Sequence, residues 1–178
     1  MARWCYLLLF IFIFSEVSCN VLPNEMCINY YRTGEDFDLK QLEGIWYAVY
    51  YWPPIREQRH SCAVVDFKRS SPPDGCNDRV DSDAAFLKAS YTNSTGKKID
   101  LYYYGDEEVK HQMRDCNRVS DYIFVDVDDG YVMGINCSNG GRGILLARAL
   151  PTNEEVEAIV EDIDIMTGRK GSPNCKLP

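Results

Sequence analysis

Beyond Phe14 this sequence of 178 residues has no apolar run long enough to cross a bilayer, which excludes a membrane-spanning helix in the body of the chain. It holds only two histidines, His60 and His111, and no Cys-x-x-Cys pair, so the usual ligand sets of a zinc site are missing and no metal is expected. There is no Gly-x-Ser-x-Gly elbow and no Cys/His arrangement with a spare cysteine, and the acids cluster in turns and on a helix face where solvated carboxylates are ordinary. The chain is therefore not expected to be an enzyme. Lysine and arginine form no stripe, and the net charge is −8, a balance that repels phosphate backbones and anionic lipid. Nucleic acid and membrane insertion drop out as partners. No repeat, low-complexity tract or linker divides the chain, so residues 20–178 read as one domain.

What is present begins with a leader. Arg3 supplies a positive start, residues 5–14 are unbroken apolar sequence, and Val17, Ser18 and Cys19 offer a small-residue cleavage site, so residues 1–19 read as a signal peptide and the protein as secreted and extracellular. Eight cysteines minus Cys5 and Cys19 leave Cys27, Cys62, Cys76, Cys116, Cys137 and Cys175, an even number that suggests three disulfides in an oxidising compartment. Asn93-Ser94-Thr95 is a glycosylation sequon, which makes Asn93 a glycan site.

The body of the chain is a series of short runs rich in Tyr, Val, Ile and Phe between Gly, Pro, Asn, Asp and Ser clusters. Eight strands are predicted, over 46–52, 62–68, 84–91, 98–104, 108–114, 121–127, 131–137 and 143–150, the fifth having the weakest pattern. Short turns such as Asp128-Asp129-Gly130 suit hairpins, so the strands should form an antiparallel meander able to close on itself. At 153–166 the period changes. Val156, Ile159, Val160 and Ile163 fall on one helical stripe behind a Thr152 or Asn153 cap, which predicts an amphipathic helix that must lie against something. The fold class is all-β: an eight-stranded antiparallel up-and-down barrel with one C-terminal α-helix packed outside.

The segment DFDLKQLEGIWYAVYYWP, residues 36–53, resembles the first signature of the lipocalins, in which a helical turn leads into Gly-x-Trp, here Gly44-Ile45-Trp46. The likeness continues in order through Cys62, Asp126, residues 131–137 and Arg148, and so covers nearly all of the chain after the leader. Its cysteine pattern is similar to that of the insect bilin-binding, insecticyanin-like and apolipoprotein D-like members. The family's usual Thr-Asp pair is replaced by Val125-Asp126. The resemblance implies disulfides Cys27–Cys137 and Cys62–Cys175. Cys76–Cys116 follows only by elimination, and the strand count puts these two at opposite ends of the barrel, so either the middle strands are shifted or that pairing fails. It also implies a closed end built from Gly44, Trp46 and Arg148, with the guanidinium stacked on the indole.

A barrel of this size leaves room for one small ligand. If Trp46 points inward, alternation carries Ala48, Tyr50 and Trp52 up the same wall, and Phe67, Leu87, Leu101, Tyr103, Phe124 and Ile135 join them, each exposed to a one-residue slip. Twelve tyrosines combine apolar rings with hydroxyl donors, which suits a hydrophobic or amphipathic molecule. The expected function is a secreted carrier with no required cofactor, binding a bilin such as biliverdin, a retinoid, a carotenoid, or a sterol- or fatty-acid-like ligand. Haem would need His60 or His111 to face inward. The alternative is a protein-binding inhibitor or interaction protein acting through loop 52–60, whose Trp52, Arg56, Arg59 and His60 have hot-spot character.

Overall fold

The computed structural model describes residues 36–76 and 86–178; the leader at 1–19 and Cys27 lie outside the described residues. A 3-10 turn at Leu39–Leu42 leads into β1 (Gly44–Trp52), followed by β2 (Ala63–Ser70), β3 (Phe86–Thr92), β4 (Lys98–Tyr104), β5 (Lys110–Asp115), β6 (Arg118–Asp128), β7 (Tyr131–Asn136) and β8 (Arg142–Ala147). Each strand pairs antiparallel with the next, and β8 pairs back onto β1 from Tyr47↔Ala147 to Trp52↔Gly143, closing the ring. The expected eight-stranded barrel is formed. β1 pairs with β2 only as far as Ala48; beyond that point a short strand of the tail, β9 (Ser172–Pro173), takes the edge that β2 leaves.

Helix α1 runs over Asn153–Asp162, and a separate 3-10 turn covers Asp164–Met166, so the predicted helix is split near its end. Its start is specified locally. The Thr152 side chain accepts from the Glu155 N–H while Glu155 returns a bond from the Thr152 N–H, and Glu154 and Glu155 occupy the positive end of the helix dipole. Val156, Ile163 and Met166 then bury against the outer surface of β1, β6, β7 and β8, on Val49, Ile123, Met133, Ile135 and Leu145. A second apolar cluster fills the inside of the ring, with Trp46, Ala48, Val65, Phe67, Leu87, Tyr103, Phe124 and Leu146.

β7 and β8 are therefore buried on both faces. This corrects one sequence expectation: Ile135 points away from the interior and packs beneath the helix, while Val132 of the same strand faces in. A strand covered on both sides is apolar throughout and offers no alternation by which to choose a face. Tyr50 is displaced for a different reason. The β1–β8 register shifts between Ala48 and Tyr50, a bulge that turns Tyr50 outward toward the helix side and brings Tyr51 in. The carbonyls left over at the bulge are satisfied from the tail: Asn174, almost fully buried, donates its side-chain amide to the Ala48 oxygen and its backbone N–H to that of Val49, both at 2.8 Å.

Cys62–Cys175 and Cys76–Cys116 are both formed, with Cα separations of 4.8 and 5.2 Å. The objection raised by the strand count is overturned, because the segment after β2 does not stay at the barrel's end. It turns back along the wall, where the charge of Asp74 reaches the outward-facing Tyr102 in β4, and so delivers Cys76 to the β5–β6 turn. Cys137 is disulfide-bonded, and its expected partner Cys27 lies outside the described residues.

A candidate ligand cavity

The barrel interior is closed at one end and open at the other. At the closed end Trp46 is buried, and its indole N–H donates to the Leu42 carbonyl at 2.8 Å, which ties the 3-10 turn across the base. The Arg148 guanidinium sits 4.0 Å above the Trp46 ring and donates to the carbonyls of Glu43, at 2.8 Å, and Gln41. Gly44 has φ of +106°, a backbone conformation that favours glycine, and a Cβ there would press on the Arg148 Nη1 at 3.1 Å. A closed eight-stranded meander, a 3-10 turn across its base, a tryptophan and arginine locking that turn, and one helix packed outside define the architecture. The fold is that of a lipocalin.

Of solved structures, the lipocalin barrel described here is similar to lobster apocrustacyanin A1, at 12% identity over 88% of this chain and 86% of that one, with a TM-score of 0.46. Apocrustacyanin C2 gives 14% identity over 75% and 77% with a TM-score of 0.45, and H1 crustacyanin from the lobster Homarus americanus gives 10% over 85% and 84% with 0.46. No family model matches the sequence, and no curated protein matches it with significance. The fold assignment rests on the closed topology itself.

Above the base, the lipocalin calyx encloses a cavity of about 520 Å³, lined by residues of all eight strands, β1 to β8, with contributions from the loops after β1 and β7. Of the residues expected at this site, Trp52, Phe67, Leu101, Tyr103 and Phe124 line it. Ala48 and Leu87 face inward but are packed into the cluster over Trp46, below the open volume. Tyr50 and Ile135 face the helix side, as described above. Sequence reasoning missed Tyr51, Tyr91, Gln112, Tyr122, Asn136 and Arg142, all of which line the cavity.

Gln112 explains why the fifth strand reads so weakly. Its inward positions are Lys110 and Gln112, both polar, so alternation is present but inverted in character. Lys110 is almost fully buried at the closed end, where its ammonium meets Asp36 at 3.0 Å and the Glu107 carbonyl. One buried cation thus finds a carboxylate and a backbone acceptor, as burial requires. Gln112 reaches the middle of the cavity, donating to the Tyr103 hydroxyl at 2.6 Å and accepting from the Asn136 amide at 3.3 Å. The Tyr122 hydroxyl is hydrogen-bonded with that of Tyr103.

These phenols sit in low-dielectric surroundings. Burial pushes Tyr103 and Tyr122 far up from the ordinary phenol value, and burial together with the neighbouring Tyr91 pushes Tyr51 up to about 12, against a smaller opposite pull from Arg59. The hydroxyls are therefore neutral donors and acceptors at any physiological pH. Among the described residues neither histidine lines the cavity: His60 is exposed, and His111 faces outward between Tyr104 and Asp121. No group of His, Cys, Asp and Glu among the described residues is placed to hold a metal.

The mouth is bordered by the loop at 53–62. A cis peptide joins Trp52 to Pro53, and Trp52 itself is buried. The loop is fastened to the tail: Ile55 N–H donates to the Ser172 hydroxyl, the Gln58 amide to the Cys175 carbonyl, and the Arg59 and Asn174 backbones pair beside Cys62–Cys175. Arg59 also donates to the Thr92 carbonyl of the next loop on the rim. Across that rim, Asn93 closes the β3–β4 turn, its side-chain oxygen accepting from the Thr95 hydroxyl at 2.8 Å and from the Lys97 N–H at 2.9 Å.

Proposed function

We propose that this protein is a secreted carrier that holds a single small hydrophobic or amphipathic molecule in its calyx. The observation that carries the reading is the open-mouthed cavity of about 520 Å³, walled by Phe67, Leu101, Phe124, Ile144 and Leu146, in a barrel whose opposite end is sealed by Trp46 and Arg148. Such volume and apolar lining are what enclosed small-molecule sites require. At interior packing density the space accepts roughly 20 to 25 non-hydrogen atoms. A retinoid or fatty-acid-like ligand fits within it, whereas the side chain of a sterol-like ligand would reach the mouth and a bilin such as biliverdin or a full-length carotenoid would extend through it. Two disulfides support residence in an oxidising, extracellular compartment. The sequon at Asn93, on an exposed rim turn, supports a glycan there.

The test is an absorption spectrum and native mass spectrum of the secreted protein from its natural source. A stoichiometric mass released only on denaturation is the expected result. A bare protein that takes up no retinoid, sterol, bilin or fatty acid would overturn the carrier reading in favour of a protein partner. Loop 52–60 would then be the first surface to mutate, through its exposed Arg56 and Glu57, since Trp52 and Arg59 are engaged within the fold.

A further inference from the structure

Among the described residues that line the cavity only Arg142 is charged, and none is a carboxylate. Four phenols converge on the interior from β1, β3, β4 and β6, close enough that Tyr103 and Tyr122 each feel both Tyr51 and Tyr91. The Tyr103 oxygen already receives the Gln112 amide at 2.6 Å, and its hydroxyl is hydrogen-bonded with that of Tyr122. Tyr51 and Tyr91 have no hydrogen-bond partner for their hydroxyls among the described residues and open onto the same space. The Tyr51 and Tyr91 hydroxyls thus face the cavity beside Tyr103, with no protein hydrogen-bond partner among the described residues.

Resting on the carrier reading, we infer that the cargo presents a hydrogen-bond acceptor, a carbonyl or carboxylate oxygen, to Tyr51, Tyr91 and Tyr103, and that organic cations are rejected. An ammonium brought here would lose its hydration and, among the described lining residues, meet the Arg142 guanidinium and no carboxylate to pair with, the costly case for a buried charge. A carbonyl meets the protons it needs, and a carboxylate can in addition draw on Arg142 at the rim. The apolar body of the ligand then lies against Phe67, Phe124 and Leu146.

The experiment is competition binding on the full secreted chain with three probes sharing one apolar tail: dodecanoate, methyl undecyl ketone and dodecylammonium. Ketone and carboxylate should bind at least about tenfold more tightly than the ammonium. The double variant Tyr51→Phe/Tyr91→Phe should lose about fivefold for the ketone while leaving the ammonium unchanged, which a general loosening of the barrel would not do. An ammonium that binds as well as the ketone, or a double variant that weakens all three equally, would overturn the acceptor inference and leave the carrier reading standing. No binding of any probe, together with a bare native protein, would overturn both.

Discussion

Gly134 stands opposite the Tyr122 ring on the neighbouring strand, where a Cβ would come within 2.7 Å of the phenol oxygen and 2.8 Å of a ring carbon. The ring is held by Tyr103 and Phe124, at centroid distances of 5.1 and 4.9 Å, so it has little room to retreat. Gly134→Ala is expected to cost about 1–3 kcal/mol, read as a lower urea midpoint, and to shift the tyrosine cluster inside the cavity. The same cluster sets an alkaline limit. Because the folded-state pKa of Tyr51 is raised to about 12 and those of Tyr103 and Tyr122 are raised further, their contribution is complete below the unfolded phenol value near 10. It is lost as pH climbs from there through the folded values. Spectrophotometric titration should show exposed tyrosines ionising near pH 10 and a later group appearing only together with loss of circular dichroism, above about pH 11. A single transition near pH 10 with the fold intact would contradict the burial of this cluster. None of this was legible residue by residue: Tyr51 reads as the outer neighbour of Tyr50 until the bulge at Val49 exchanges them.

Helix α1 depends on its cap more than on its composition. Its last turn carries no basic residue to complement the dipole, and only Val156 of its ten residues is fully buried. Thr152→Ala removes the side-chain half of the capping box, the acceptor for the Glu155 N–H, and should lower stability by about 1 kcal/mol, measured by chemical denaturation. The helix was legible because its period and cap are local properties. β2 and β3 were legible for the same reason, since Val65 and Phe67 face the interior while Val64 and Lys68 are exposed. β5 was nearly lost because its inward side chains are Lys110 and Gln112, and β7 and β8 carried no face information because the helix covers their outer surface.

Two disulfides with both partners among the described residues tie the molecule across large separations. Cys62–Cys175 spans 113 residues and fastens both the mouth loop and the tail that completes β1, while Cys76–Cys116 spans 40 and pins the segment after β2 along the wall. In the chain-entropy treatment, removing them as paired alanine substitutions should cost about 5 and about 4 kcal/mol respectively. Thermal melts of the two variants check the order. By itself the sequence determined the class of fold, the capped helix and the even set of cysteines, because each is a local pattern or a count, and its resemblance to the lipocalins supplied the closed base at Gly44, Trp46 and Arg148. The tertiary structure alone decided which residues face the cavity and how Cys76 reaches Cys116. A bulge, a helix laid over one wall and a segment doubling back are long-range arrangements, and period-two alternation cannot register any of them.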